Sequence, residues 1–420
     1  MKHRRSVIVL LLALPLPSFA AYTVSGISSG GFMASQMATI YSDQISGVAT
    51  VAGGVFYCAQ NTYQENLAAY GSTGFFQFGF TSEGVLKIVD PFQLSPLTDK
   101  TNKKPALEPL PQNPMYQAMT VCMNHPEGTH QPENLKDGGR REMNLDFLKD
   151  FENHGAIAPL ANIANQRVLI YHGSNDEVVQ ASMAEKLNQF YSRLGVPSNS
   201  IKMVYSSGNH NFPTTRTDGI DCAEAKTPYI ANCNLDIAGQ ILNHLLDRNL
   251  IRGEFKEENL YKVTQVNAPR SVASYGYLYA NTFCLKNPAA CDLHVALHGC
   301  KMSDSFDDNF QTAYEAKVQL THVLSVQDYE FSAHKPQMGA YRFAHDSGYG
   351  EYAEPVQNRI MIYFPQTQVT TDNFPGNPKG CWDWYGWTGA NYATNQGQES
   401  SWLIEQMRKV KSQPKSLIIY

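Results

Sequence analysis

Gly26-Ile27-Ser28-Ser29-Gly30 sets one serine between two glycines near the start of the chain, a spacing that suits a nucleophile. Such a segment does chemistry only when a strand leads into it and a helix leads out. The sharp bend between the two then lifts the serine Oγ clear of its neighbours. Both flanks are present: Tyr22-Thr23-Val24 is a short extended run, and Gly31 through Ala38 begins an apolar helix. That helix would turn free N–H groups and its positive dipole end toward developing negative charge, with the N–H of Ser29 as first oxyanion donor. A Gly/Ser-rich surface turn is the plain alternative.

A serine hydroxyl needs a histidine to take its proton and an acid to fix that histidine's tautomer. Two later strand ends offer them. The run Arg167 to Tyr171 leads into His172-Gly173-Ser174-Asn175-Asp176, and Ile201 to Tyr205 leads into Ser206-Ser207-Gly208-Asn209-His210. Ligands bind beyond the carboxyl ends of strands in open α/β sheets, which favours Asp176 as the acid and His210 as the base. The order Ser28, Asp176, His210 is that of an α/β-hydrolase. His172 competes with His210 but precedes the acid. Asp218 and Asp221 compete with Asp176 but follow the histidine.

The elements that must position these groups are short apolar runs closed by glycine or histidine, with helical patterns between them. Further strands are expected at Val48 to Val51, Leu293 to Leu297 and Arg359 to Tyr363. Helices are expected at Ser182 to Leu194, Ile230 to Leu246 and Glu399 to Val410. The pattern implies a mainly parallel sheet flanked by helices. About 61–160 and 251–277 read as insertions or caps near the active site, and no Pro- or Gly-rich linker marks off a separate binding domain.

An α/β-hydrolase ordinarily places several strands before its nucleophile, one of them ending in a loop that donates the second oxyanion N–H. Here Ser28 lies too close to the start for that. Leu293-His294-Val295-Ala296-Leu297-His298-Gly299-Cys300, far downstream, has the character of the missing strand and loop. Circular permutation accounts for this, with the N–H of Cys300 as second donor.

Lys2, Arg4 and Arg5, the apolar run Val7 to Leu16, and Ser18-Phe19-Ala20 read as a signal peptide over residues 1–20, with cleavage expected after Ala20 or Ala21. Residues 21–420 then form one secreted or periplasmic α/β domain, with no membrane insertion expected. Eight cysteines, Cys58, Cys122, Cys222, Cys233, Cys284, Cys291, Cys300 and Cys381, favour disulfides in such a compartment. Cys222 with Cys233 and Cys284 with Cys291 read as local staples, and the other pairings stay open. A net charge of -5 with no basic stripe argues against nucleic acid as a partner. No metal or organic cofactor is required by the chemistry.

The chain resembles the exported polyhydroxybutyrate (short-chain polyhydroxyalkanoate) depolymerases whose catalytic domain is circularly permuted, the type 2 arrangement. The resemblance is carried by Gly26 to Gly31, the loop around Asp176, Ser207-Gly208-Asn209-His210, Pro228 to Asn234, Leu293 to Cys300 and Gly380-Cys381-Trp382-Asp383-Trp384. It implies Ser28, Asp176 and His210 as the triad and the N–H groups of Ser29 and Cys300 as the oxyanion hole. It also implies a Cys300–Cys381 bridge and a neutral polyester or its oligomers as substrate. Trp382, Trp384 and Trp387 are then candidate substrate contacts, with core packing as the alternative for each. A secreted feruloyl or acetyl esterase, and a non-catalytic polymer-binding protein on the same scaffold, are the competing readings.

Overall fold

Neighbouring residues of the central strands enter different apolar layers. Val168 and Ile170 pack with Met33, Met37, Leu187 and Met407, whereas Leu169 and Tyr171 pack with Ile241, Leu242 and Phe343. A strand can be apolar on both faces only where helices cover both sides of its sheet. The computed structural model describes residues 22–58, 77–80, 86–89, 122–123, 146–306, 339–370, 377–389 and 391–419. The expected signal peptide, and most of the expected insertion at about 61–160, lie outside the described residues.

The strands are β1 (Tyr22–Ile27), β2 (Ile45–Val51), β3 (Gln77–Phe80), β4 (Leu86–Val89), β5 (Arg167–Gly173), β6 (Ile201–Ser206) and β7 (Phe212–Thr214). They continue with β8 (Ile220–Asp221), β9 (Ile230–Asn232), β10 (Leu260–Thr264), β11 (Tyr275–Tyr279), β12 (Asp292–Leu297) and β13 (Ile360–Phe364). The main sheet has eight strands in the order β10-β11-β13-β12-β1-β2-β5-β6. From β13 to β6 every neighbour is parallel, while β11 runs antiparallel to both β13 and β10. The two halves of the chain therefore fill the two halves of the sheet, and β1 meets β12 at the seam.

The helices are α1 (Ser29–Ile40), α2 (Asp146–Asn153), α3 (Ser182–Arg193), α4 (Ile237–Leu246), α5 (Thr282–Lys286), α6 (Gly339–Asp346), α7 (Tyr349–Ala353) and α8 (Gln398–Ser412). Residues of α1, α3 and α8 share one layer with the sheet, and those of α4, α6 and α7 share the other. Every residue of α1 is buried, the polar Ser35, Gln36 and Thr39 included. Each fully buried large apolar side chain contributes roughly 1.5–3 kcal/mol, so α1 is a rigid base for the turn at its N-terminus.

Two sequence expectations change. The helix expected from Ile230 begins only at Ile237, because Ile230–Asn232 pairs with β7 and β8 in a three-stranded sheet. Asp236 then caps α4, its side chain accepting the Gly239 N–H. The segment 251–277, expected as an insertion or cap, supplies β10 and the start of β11 at the sheet's edge. The cysteines pair as Cys58–Cys122, Cys222–Cys233, Cys284–Cys291 and Cys300–Cys381. Among the described residues no helix is long and apolar enough to cross a membrane.

Candidate active site

Ser28 stands between β1 and α1 with φ 55° and ψ -123°, and its side chain makes no capping hydrogen bond to the helix below it. A non-glycine residue in this region costs on the order of 1–3 kcal/mol and persists only where its surroundings enforce it. The enforcement is visible. Ser28 N–H donates to Val51 C=O at 2.9 Å, and Ser28 C=O accepts the Phe32 N–H at 3.0 Å. A Cβ on Gly26 would lie 2.2 Å from Gly30 O, and one on Gly30 would lie 2.4 Å from both Leu297 O and His298 O. Glycine at both flanking positions is thus a steric requirement. Within residues 22–40 only Ser28 keeps partial exposure.

Asp176 and His210 leave the same edge of the sheet, at the ends of β5 and β6, and the structure brings them together. His210 Nδ1 donates to Asp176 Oδ2 at 2.8 Å. Asp176 Oδ1 accepts the N–H groups of Val178 and Val179, both at 2.8 Å. Burial alone would raise the Asp176 pKa, but the hydrogen bond and charge of His210, with smaller help from His172 and the Val179 N–H, hold it below the ordinary carboxylate value. An ionised carboxylate can only accept, so in the neutral imidazole of His210 the proton is on Nδ1 and the lone pair is on Nε2.

The competing residues do other work. His172 is fully buried, donates from Nε2 to Val179 C=O at 2.7 Å and stays neutral, because burial pushes its pKa down. Asp218 pairs with Arg216 through both carboxylate oxygens at the surface. Asp221, also exposed, accepts the Ala223 N–H.

On the other side of Ser28, β12 runs parallel to β1 and ends at His298-Gly299-Cys300. A Cβ on Gly299 would lie 3.1 Å from Ser28 Cβ, so this loop passes directly beside the serine. His298 Nδ1 donates to Gly299 C=O at 2.7 Å, while its Nε2 accepts the Thr367 N–H at 3.1 Å. Burial pushes its pKa down to about 4, so the ring is neutral and this tautomer is fixed. In a trans peptide the C=O and N–H point opposite ways. With Gly299 C=O turned to His298, the Cys300 N–H of the same peptide is directed away from that ring. Cys300 Sγ is tied to Cys381.

The aromatic segment after Cys381 is less open than its composition suggests. Trp382 is wholly buried and Trp384 is 8% exposed, stacked on Phe32 with ring centroids 4.1 Å apart. Both pack against α1, which agrees with the core-packing alternative rather than with a substrate-facing surface. Trp387 alone of the three stays partly exposed. The signal for the difference lies in the backbone. Trp382 N–H donates to Ser29 Oγ, and the buried Asp383 side chain gathers the N–H groups of Tyr385, Gly386, Trp387 and Thr388 and the Thr388 hydroxyl.

Glu399, buried on α8, accepts the Asp383 N–H at 2.7 Å. Burial raises the pKa of both carboxyls, but the donors around Asp383 pull its value back while the Asp383 charge helps push the Glu399 carboxyl up to about 8, so Asp383 keeps the charge and Glu399 the proton. A carboxyl whose pKa is raised by folding stabilises the fold fully below its ordinary value, 4.5, and that contribution fades as pH rises to about 8. Asp176, held low, titrates below this window. Glu399→Gln keeps the acceptor but has no proton to lose. Thermal melts from pH 5 to pH 8 should show wild-type stability falling relative to the variant, by on the order of a few kcal/mol. Parallel curves would contradict this assignment of the proton.

A serine at a strained strand–helix turn and an Asp–His pair at the same parallel-sheet edge define a hydrolase-type site. Residues 6–216, half of the chain, match the alpha/beta hydrolase fold family, and the chain belongs to it. More distantly, it is 25% identical over 399 residues to a poly(3-hydroxybutyrate) depolymerase of Delftia acidovorans, covering 93% of this chain but 59% of that protein's length. It is also 25% identical over 428 aligned positions to a polyhydroxybutyrate depolymerase of Talaromyces funiculosus, covering 95% and 93% of the two chains. In fold it is similar to the crystal structure of a PHB depolymerase from Penicillium funiculosum, with a TM-score of 0.60, 22% identity and coverage of 94% and 96%. A serine-to-alanine PHB depolymerase complexed with an R3HB trimer gives a TM-score of 0.62 at the same identity and coverage.

Proposed function

We propose that this chain is an exported serine esterase that hydrolyses poly(3-hydroxybutyrate) or its oligomers. The observation that carries the reading is that one edge of the parallel sheet holds both Ser28, at positive φ after β1, and a His210 already hydrogen-bonded to Asp176 after β6 and β5. His210 Nε2 takes the Ser28 proton as Oγ adds to an ester carbonyl carbon. The oxyanion accepts the N–H groups of Ser29 and Cys300. Collapse breaks the ester C–O bond, the leaving alkoxide takes the proton from His210, and a 3-hydroxyacyl-serine remains. Water, deprotonated by His210, then adds to that ester, and collapse returns the proton to Ser28 and frees the acid. The two curated relatives support the polyester as substrate. Trp387 is the remaining aromatic candidate for contact with it.

The strand order supports circular permutation as the origin of this layout. β10 to β13, from the C-terminal half, fill the side of the sheet that ordinarily precedes the nucleophile strand. Joining the two ends of the chain would restore that order, with residues 21–420 as one catalytic domain. Four disulfides, bonds that persist in oxidising compartments, support secretion or a periplasmic location.

The test is a release assay on amorphous polyhydroxybutyrate granules beside feruloylated or acetylated xylan, with products read by mass spectrometry. Soluble 3-hydroxybutyrate monomer or oligomers are expected from the granules. Release only from the xylan would overturn the substrate class while leaving the esterase chemistry in place.

A further inference from the structure

We propose that Asn209 is a positioning residue for the base, held in turn by the loop that the Cys222–Cys233 bridge closes. The proposal rests on the reading of Ser28, His210 and Asp176 as a catalytic relay. Asn209 is 8% exposed and uses both ends of its amide. Its Oδ1 accepts the His210 N–H at 2.7 Å and the Glu177 N–H at 3.2 Å, so one oxygen joins the base loop to the residue just after Asp176. Its Nδ2 donates to Ala223 C=O at 3.0 Å.

The stapled loop completes the hold from outside. Cys222 C=O accepts the Asn209 N–H and the Nδ2 of Asn211, both at 2.9 Å, gripping the residues on either side of His210. Tyr229 C=O accepts the Phe212 N–H at 2.7 Å. The Tyr229 ring meets the imidazole edge-on with centroids 6.4 Å apart. Tyr229 sits at φ 59°, a conformation a bulky residue adopts only where the surrounding chain imposes it. These contacts come from one short loop whose ends are joined by a disulfide.

The chemistry of the amide explains the residue type. Bridging two N–H groups while donating to a carbonyl needs an acceptor and a donor on one planar group, which only asparagine and glutamine provide, and glutamine is a methylene longer. Aspartate keeps the acceptor but sets a carboxylate against Ala223 C=O. Leucine keeps the volume and loses both functions. Misplacing a catalytic group by about an ångström costs on the order of 100-fold in rate.

Purified wild type, N209D, N209L and a C222S/C233S double variant would be compared on p-nitrophenyl butyrate, with melting temperature and the low-field proton resonance of the His210–Asp176 hydrogen bond measured on each. N209L is expected to lose about 30- to 100-fold in kcat with KM within about threefold, and to lose the low-field resonance. N209D should recover part of kcat because it restores the bridging acceptor. The double variant should move in the same direction as N209L. A kcat for N209L within about twofold of wild type overturns the proposal. So does a loss that tracks only the unfolded fraction, with the resonance intact. Failure of the catalytic reading itself would show separately, as an unchanged rate in S28A.

Discussion

Replacing Ser28 by alanine is expected to lower kcat on p-nitrophenyl butyrate by roughly 10⁴- to 10⁶-fold, with little change in melting temperature. The structural reason for the intact fold is that Ser28 Oγ makes no capping bond to α1, so nothing that supports the helix is removed. Alanine and serine present the same Cβ to the positive φ, and the backbone bonds to Val51 and Phe32 survive. His210→Ala should fall by a comparable factor, because a nucleophilic serine and its base act as one unit. The double variant should then be no worse than either alone. Asp176→Asn tests the tautomer: an amide can donate to Nδ1, which would place the proton on Nε2 and remove the base. Rates within about tenfold of wild type for Ser28→Ala would support a polymer-binding protein on a hydrolase scaffold instead.

The elements that position the site were legible because their signals are local and strong. Val168-Leu169-Ile170 and Val48 to Val51 are apolar without alternation, which is what a strand covered on both faces must be. Chain order separated His210 from His172, and the structure adds the reason: His172 Nε2 is already committed to Val179. Where sequence reading fell short, the deciding partner was far away. Leu260–Thr264 lies at a sheet edge with only Val263 buried, so it resembles an irregular segment until Tyr275–Tyr279 pairs with it. Ile230–Asn232 has helical character but is claimed by β7 and β8. The three tryptophans look alike in composition. Phe32 and Ser29, both distant in sequence, sort Trp384 and Trp382, and neither contact is visible in the segment itself. Asn209 was legible as part of a motif with His210, but its role depends on where Glu177 and Ala223 come to rest.

Gly30→Ala is the substitution expected to damage fold and function together. Its added Cβ would stand 2.4 Å from Leu297 O and from His298 O, both backbone atoms, so no side chain can rotate out of the way. Relief requires the first turn of α1 and the end of β12 to part by about an ångström, which moves the loop at Gly299 away from Ser28. Overpacking against backbone costs on the order of 3 kcal/mol, and a displacement of that size costs about 100-fold in kcat. Gly155→Ala separates sterics from backbone conformation, since Gly155 sits at φ 66° and a methyl added there would meet nothing within 4 Å. That variant should lose only about 1 kcal/mol and keep its activity. If instead Gly30→Ala melts and turns over like wild type, the contact between the first turn of α1 and β12 is not what positions the Gly299-Cys300 loop. The glycine would then serve only the entry to the helix. The expected result makes the seam between β1 and β12 the joint on which the proposed catalysis depends, since Ser28 and the proposed donor Cys300 arrive there from the two halves of the chain.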